Sequence, residues 1–236
     1  MYSPPMPDKP PIILWGVITP SHFYFPRQFV ESSMRLISYS QFQKAVTAFN
    51  IFYLSSPRTA TNRNKALDAI TVEDYVLMID SDMEWKPNAI ELMLETAKAN
   101  PDAVITGLAT LGKPPFRPNI YMWPDREDKK PTHIEHWPDE PFEIDAFGTV
   151  CLLIPKKIIE ALDKHPFDHI PDYYPWGECI EDKELRHDLA FSKRVKEAGF
   201  KIICDPRVQL GHLRPSSITM EDWIRNRDFK PPLPPT

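Results

Sequence analysis

Hydrophobic residues occur along the chain mainly in short runs, and these runs alternate with segments of helical periodicity. Most of the runs are typical of buried strands, because a helix needs a longer periodic segment. Alternation of such strands with helices is typical of an α/β protein, in which crossover helices cover a sheet. The predicted strands are residues 12–19, 50–54, 75–79, 103–106, 145–154 and 200–204.

Helix starts and ends are marked by residues with known positional preferences. Thr61 predicts an N-cap, and Pro87 and Pro155 suit the first turn of a helix. Gly199 is typical of the position that follows a helix. The predicted helices are residues 27–44, 62–70, 155–162 and 185–198, and one more begins near Pro87.

The 27 prolines divide the chain, because proline disfavours helix interiors and central strands. They cluster at the two ends and in one internal stretch. We therefore expect an extended N-terminal segment at residues 1–11, one domain at residues 12–219, and a short helix with a proline-rich tail at residues 220–236. Within the domain, residues 116–142 form a predicted insertion that is rich in proline and aromatic residues.

Length and composition favour a single globular domain. The chain has 236 residues, of which 42% are hydrophobic, and this is enough for a sizeable core. No apolar run approaches the roughly 18 residues of a membrane span, and the N-terminus does not resemble a secretory signal. We therefore expect a cytoplasmic protein without a membrane span.

The net charge limits the kinds of partner that the protein can bind, and the cysteines indicate the cellular compartment in which it folds. The net charge of −5 disfavours capture of nucleic acid by a bulk positive field. Cys151, Cys179 and Cys204 are odd in number and widely spaced, without a Cys-x-x-Cys pair. This spacing is typical of buried thiols in a reducing compartment, so we expect them in the core.

Two carboxylates follow the buried run at residues 75–79. Asp80 and Asp82 are separated only by Ser81, and ligands of open α/β sheets bind at the carboxyl ends of strands. Hard divalent cations prefer oxygen ligands, and a carboxylate pair leaves positions open for phosphate oxygens. This predicts a metal-diphosphate site. The alternative is that both aspartates form a turn or begin the next helix.

A second group of candidate residues lies toward the C-terminus. Asp188 stands at a predicted helix start, and His212 follows the last predicted strand. An imidazole nitrogen in an otherwise oxygen-based site favours Mn²⁺ over Mg²⁺ or Ca²⁺. The alternative is a structural histidine with hydrogen bonds of its own.

Four motifs in this order resemble those of the GT-A nucleotide-sugar glycosyltransferases, in particular the family-two-like group of bacteria and phages. They are Asn62-Arg63-Asn64, residues 75–83, residues 188–194 and Gly211-His212. The resemblance implies a GT-A fold, which is Rossmann-like, with a mixed, mostly parallel sheet flanked by helices. It also implies metal-dependent transfer of a sugar from a UDP- or GDP-sugar to an acceptor hydroxyl.

The resemblance also implies a role for individual residues. Asp188 is the base that activates the acceptor, and a base opposite the leaving group predicts inversion at the anomeric carbon. The implied metal ligands for Mn²⁺ or Mg²⁺ are Asp80, Asp82 and His212. The implied nucleotide-sugar-binding residues are Thr19, Pro20, Arg63, Asp80 and Ser81.

Some alternatives remain open at this stage. Many relatives have a Glu-Asp pair where this chain has His187-Asp188, so Glu181 or Asp182 is an alternative base. The insertion is either a solvated excursion or an acceptor-side wall with Trp123 and Trp137. The acceptor is a glycan, a protein, a lipid or modified DNA.

Two other functions compete with transfer of a sugar. One is a non-catalytic module on the same fold that binds carbohydrate or protein. The other is a nucleotidyltransferase, which normally needs a glycine-rich loop after the first strand, whereas residues 19–26 contain no glycine.

Overall fold

Eleven strands and five helices make up the described part of the computed structural model, which covers residues 9–19, 25–56, 58–111, 116–124, 130–174 and 183–213. The strands are β1 (Ile12–Thr19), β2 (Ala48–Ser55), β3 (Tyr75–Asp80), β4 (Met83–Trp85), β5 (Ala103–Leu108), β6 (Ile120–Met122), β7 (Thr132–His133), β8 (Phe142–Ile144), β9 (Ala146–Phe147), β10 (Cys151–Pro155) and β11 (Lys201–His212). The helices are α1 (Arg27–Phe42), α2 (Thr59–Asp68), α3 (Ala89–Ala99), α4 (Lys156–Ala161) and α5 (His187–Glu197).

The main sheet has eight strands in the order β2-β1-β3-β10-β5-β11-β4, and β8 pairs with β11 off this path. β1 is parallel to β2 and β3, and β11 is parallel to β5. β10 lies antiparallel between β3 and β5, so β1, β2, β3, β5 and β11 all point the same way. The sheet is therefore mixed and mostly parallel, as predicted.

Helices cover both faces of this sheet. Alternate strand residues enter two separate hydrophobic clusters, because successive side chains of a strand point to opposite faces. The first cluster joins Trp15 and Leu77 to α1 and α3, and the second joins Leu14 and Val76 to α2, α4 and α5. The buried thiols of Cys151 and Cys204 lie one in each cluster, whereas Cys179 is outside the described residues.

Most predicted strands are present, but two boundaries differ in an informative way. The apolar run at 145–154 is not one strand, because it breaks at residues 148–150 between β9 and β10. The strand predicted at 200–204 continues as β11 to His212, since a register shift between Asp205 and Gln209 accommodates Pro206. That extension brings His212 to the sheet edge.

The start of α2 was predicted wrongly. Thr61 is inside the helix, and Arg58 is the N-cap, with its carbonyl accepting a hydrogen bond from the Asn62 N–H. Threonine is favoured at N-caps, but the helix begins two residues before Thr61, at Thr59. As the N-cap, Arg58 lines a cavity of about 600 Å³ together with Thr59.

The proline-rich insertion contributes β6 and β7 to a second, three-stranded sheet in the order β7-β6-β9, whose third strand follows the insertion in the chain. Its strands are only two or three residues long, as expected where prolines interrupt pairing. Within the described residues, no helix has the length and apolar character needed to cross a membrane. Residues 1–8 of the extended segment predicted at residues 1–11 lie outside the described residues, and so does all of the helix and tail predicted at residues 220–236.

Candidate active site

One edge of the main sheet gathers nearly all of the predicted site residues. β1, β3 and β11 end there with Thr19, Asp80 and His212. β10 runs in the opposite direction, so the segment that leads into it, with Thr149, reaches the same edge. The polar side chains of four sheet segments therefore meet where ligands of α/β sheets bind.

Arg63 occupies the centre of this edge. It lies on α2 and is buried, with 2% of its surface exposed. Its Nη2 donates to both carboxylate oxygens of Asp80, at 3.1 and 3.2 Å, and to the Thr149 carbonyl at 2.7 Å. Its Nη1 donates to Asp188 Oδ1 at 2.7 Å. One guanidinium thus joins the strand-end carboxylate to the carboxylate of α5.

The neighbours of Arg63 hold α2 in this orientation. Asn64 donates to Asp168 Oδ1 at 2.8 Å and accepts the Phe167 N–H at 3.0 Å. Asn62 is also buried and donates to the Ser56 carbonyl. The buried side of α2 therefore includes three consecutive polar side chains that form hydrogen bonds inside the protein.

Three donors converge on a single oxygen of Asp188. Oδ1 accepts from Arg63, from the Thr149 hydroxyl at 2.5 Å, and lies 3.0 Å from His187 Nε2. The other oxygen, Oδ2, lies 4.0 Å from the position that a Cβ atom would take on Gly148. This arrangement orients the carboxylate and leaves Oδ2 beside a residue without a side chain.

The two carboxylates that share Arg63 have different proton affinities. Burial raises the pKa of Asp80 to about 6, and the Asp82 and Asp188 charges add to this, while Arg63 opposes it. Burial also acts to raise the pKa of Asp188, but Arg63, His187 and the Thr149 hydroxyl outweigh it and hold that pKa well below its ordinary value. Asp188 is therefore ionised at neutral pH, as a general base must be.

Asp82 and His212 form a second pair at the same edge. His212 Nδ1 lies 3.1 Å from the Thr110 carbonyl, which can only accept, so we place the ring hydrogen on Nδ1. The lone pair of Nε2 then faces Asp82 Oδ2 at 3.1 Å. Two acceptors at this distance need a proton or a cation between them, and a backbone carbonyl behind the ring is typical of metal-binding histidines.

Among the residues that the structure describes, protein ligands alone do not complete a metal centre. Across the described ranges, no group of three or more His, Cys, Asp or Glu side chains is arranged to hold a metal ion. The pair nevertheless offers one carboxylate oxygen and one imidazole nitrogen, a donor set that fits Mn²⁺. Asp80, which was predicted as a further ligand, has both oxygens within hydrogen-bonding distance of Arg63.

The other predicted nucleotide-binding residues lie at this edge or outside the description. Thr19 and Ser81 are buried, and the Ser81 N–H donates to the Ile18 carbonyl. Pro20 and the alternative bases Glu181 and Asp182 are outside the described residues.

The structure separates the two tryptophans of the insertion. Trp123 packs near Tyr173, with ring centroids 6.5 Å apart, in a cluster on the α5 side. Trp137 is 38% exposed and lines a cavity of about 220 Å³ together with Thr110 and Gln209. The two tryptophans therefore lie near different residues of this edge. Trp123 is near α5, whereas Trp137 is near His212, because the Thr110 carbonyl beside Trp137 contacts the His212 ring.

Sequence reasoning missed Gly148 and Thr149. They were included in one long apolar run, although both residues interrupt its apolar pattern. A glycine followed by a hydroxyl residue within such a run is the signal that could have identified a break at the sheet edge.

Residues 39–166, more than half of the chain, match the model of the family described as Glycosyl transferase family 2. The crystal structure of A197 from STIV has a TM-score of 0.52 at 15% identity, over 85% of this chain and 86% of that one. The crystal structure of GalNAc-T7 with UDP, GalNAc and Mn²⁺ has a TM-score of 0.57 at 11% identity, over 89% of this chain and 47% of that one. No curated protein sequence matches. The structural likenesses concern the fold, and they confirm the predicted GT-A arrangement.

Proposed function

The chain belongs to glycosyl transferase family 2, and we propose that it transfers a sugar from a nucleotide diphosphate sugar to an acceptor hydroxyl, with inversion at the anomeric carbon. The observation that carries this proposal is the Arg63 guanidinium, which holds Asp80 and Asp188 at opposite ends of one buried hydrogen-bonded group. Arg63 thereby fixes the position of the donor-side carboxylate, Asp80, relative to the acceptor-side carboxylate, Asp188.

Asp82 and His212 would hold the metal, together with oxygens of the donor diphosphate. A bound Mn²⁺ or Mg²⁺ would stabilise the negative charge that develops on the leaving diphosphate. The UDP and Mn²⁺ in the GalNAc-T7 structure support this choice of ligand class. The pair fits because its two acceptor atoms face each other at 3.1 Å. Thr19 and Ser81 lie at the same edge and are proposed to border the nucleotide.

Asp188 is the proposed general base. Its Oδ1 is occupied by three donors, so the proton of the acceptor hydroxyl passes to Oδ2 as the oxygen attacks the anomeric carbon. General-base catalysis of this kind contributes about 10² to 10⁴-fold. Direct attack assisted by one base inverts the configuration of that carbon.

Titration of UDP or GDP in a calorimeter tests the proposal. We expect clearly tighter binding with Mn²⁺ than with a chelator, and we expect Asp82→Ala to remove the difference. Equal affinities under both conditions, unchanged by Asp82→Ala, contradict the metal assignment. Hydrolysis of a nucleotide sugar with and without acceptors separates a transferase from a non-catalytic binding module.

A further inference from the structure

His187 is one of three donors on the Asp188 carboxylate, and it is the one whose charge can change near neutral pH. Its Nε2 lies 3.0 Å from Oδ1, the oxygen that also accepts from Arg63 and from the Thr149 hydroxyl. The guanidinium of arginine stays charged and the hydroxyl of threonine stays neutral, whereas histidine has an ordinary pKa near neutral pH. The charge beside Asp188 therefore depends on His187.

The Asp188 contact fixes which nitrogen of His187 carries a hydrogen. Oδ1 belongs to an ionised carboxylate, which can only accept, so Nε2 must hold a hydrogen at a separation of 3.0 Å. A proton that the ring gains or loses is then the one on Nδ1. Ionisation of His187 therefore changes the charge beside Asp188 while the hydrogen bond to Oδ1 stays in place.

The His187 ring can exchange this proton with solvent. Its side chain is 22% exposed and lines the cavity of about 600 Å³ that Arg58 also lines. The His169 ring stacks on it, with ring centroids 5.7 Å apart and an interplanar angle of 19°. The stacking and the Asp188 contact together hold the His187 ring in the cavity wall.

Other charged or titratable side chains surround His187 and its contact with Asp188. They are Arg58 and Arg63 of α2, Tyr121 of β6, Asp168, His169 and Glu184 of the segments before α5, and Arg186 beside His187. His169 is the other histidine of this set, and its Nδ1 lies 3.0 Å from Glu184 Oε2, a different carboxylate from Asp188. A pH response of Asp188 can therefore be assigned by changing one histidine at a time.

The contact with His187 makes Asp188 a weaker base when the ring is charged. Burial acts to raise the pKa of Asp188, and Arg63, followed by the charge and the hydrogen bond of His187, lowers it. General-base catalysis slows as the pKa of the base falls away from the operating pH. Loss of the His187 charge therefore strengthens the base without removing the hydrogen bond that orients it.

We propose that His187 is a positioning residue that sets the strength of Asp188 as a base. The neutral ring orients the carboxylate and permits fast transfer, whereas the charged ring holds the carboxylate in an ion pair and slows transfer. During transfer the acceptor O–H bond breaks, its proton goes to Asp188 Oδ2, and the acceptor oxygen bonds to the anomeric carbon as the diphosphate leaves with its electron pair. His187 keeps its own hydrogen throughout. This inference rests on the proposed transferase function.

Carbon-13 NMR of the protein without ligands tests the coupling between His187 and Asp188. The carboxyl signal of Asp188, identified by its absence in Asp188→Asn, should move between about pH 5 and pH 8, although this carboxylate stays ionised. His187→Gln keeps a donor in place of Nε2 and cannot ionise, so it should lose at least half of the movement. The remainder is expected from Asp80, whose pKa burial raises to about 6.

His169→Gln is the matched control for this NMR titration. It should keep most of the movement, because His169 contacts Glu184 and not the proposed base. An Asp188 signal that does not move in the wild-type protein, or that moves equally in His187→Gln, overturns the proposal.

The pH dependence of donor hydrolysis tests the effect on the reaction. UDP-glucose, UDP-galactose and GDP-mannose serve as donors, with water as the acceptor and saturating Mn²⁺. We expect the ratio of kcat in His187→Gln to kcat in the wild type to rise threefold or more between pH 8 and pH 5.5, because only the wild-type base weakens. Asp80 and His212 are present in both proteins, so their titration cancels in this ratio. His169→Gln should give a ratio that changes less than twofold.

The failure of this inference differs from the failure of the proposed function. A ratio for His187→Gln that stays constant with pH shows that His187 only supports the fold, and it overturns the inference. Hydrolysis of none of the three donors, in protein whose Asp188 signal still responds to His187, contradicts the proposed function and with it the role of His187 in transfer.

Discussion

The Thr149 hydroxyl donates a hydrogen bond of 2.5 Å to Asp188 Oδ1. The carbonyl of the same residue accepts from Arg63 Nη2 at 2.7 Å, so Thr149 contacts both the carboxylate and the arginine that binds it. Thr149 is buried, with 3% of its surface exposed. Its side chain therefore acts on the carboxylate and has little access to a substrate.

Thr149→Val should lower transfer about tenfold or more while nucleotide affinity stays within twofold, because it removes a hydrogen bond to a charged group without changing the side-chain shape. The pKa of Asp188 should rise, so the acid limb of the rate profile should move to higher pH. Thr149→Ser keeps the hydroxyl and should restore most of the rate. A slow Ser variant with an unmoved profile would show that Thr149 only supports the fold.

Asp188→Asn should lower transfer by about 10² or more, because the amide cannot take up the proton of the acceptor. Donor and metal binding should survive, since Asn keeps the size of the side chain and is an equally good residue for a helix start. Steady-state kinetics and nucleotide titration measure the two effects separately.

Two controls accompany the Asp188 variant. Glu181→Gln and Asp182→Asn should remain active, and loss of transfer in one of them with an active Asp188→Asn would move the role. The product should have inverted configuration by NMR. Retained configuration contradicts the assignment whatever the rates of the variants.

Arg63→Ala should lower the free energy of unfolding by about 3 to 5 kcal/mol, because it leaves the carboxylates of Asp80 and Asp188 partly buried without their shared cation. Arg63→Lys should lose less, since one ammonium replaces the charge but cannot form all of the guanidinium contacts. Urea denaturation at neutral pH measures both. Arg35→Ala, at an exposed ion pair, should change stability by less than about 1 kcal/mol. A loss below that value for Arg63→Ala contradicts the prediction.

Trp137→Ala should raise the acceptor KM or lower transfer while nucleotide affinity stays within about twofold. The partly exposed indole lines a cavity of about 220 Å³ together with Thr110, whose carbonyl contacts His212, so the variant tests whether this wall serves the acceptor or the donor. Trp123→Ala provides the comparison on the α5 side. A large loss of nucleotide affinity in a folded Trp137→Ala protein would place this cavity in the donor site.

Glu73 should contribute to acid sensitivity independently of the active site. Burial opposes ionisation of its carboxylate, but hydrogen bonds from Thr71 and Asn50 outweigh burial and lower the pKa from 4.5 to about 2. A lowered pKa in the folded state gives stability that is present above pH 4.5 and is lost as the pH falls toward 2.

Glu73→Gln should lower the free energy of unfolding by up to about 3 kcal/mol at pH 7, and the stability of the variant should depend less on pH between 4.5 and 2. Thermal unfolding measures this, with the exposed Glu160→Gln as control, and parallel pH profiles for Glu73→Gln and wild type would contradict it.

The sequence by itself determined the fold class and the carboxylates at the ends of elements. Runs such as residues 75–79 are apolar throughout because a central strand is covered on both faces, and this pattern is local in the chain. Asp80 and Asp82 were found because they follow such a run directly. The motif order then indicated the family, which the match over residues 39–166 confirmed.

The tertiary structure alone decided which groups act on one another. Arg63 is 125 residues from Asp188, and no local pattern shows that its guanidinium contacts one oxygen of that carboxylate. Thr149 was concealed in an apolar run. It lies at the functional edge because strand β10 runs opposite to its neighbours, so that the start of β10 is at the edge where they end. Arg58 and Arg186 line one cavity because α2 and α5 pack against the same sheet. Local sequence determines where strands and helices form, and long-range packing determines which of their ends share a site.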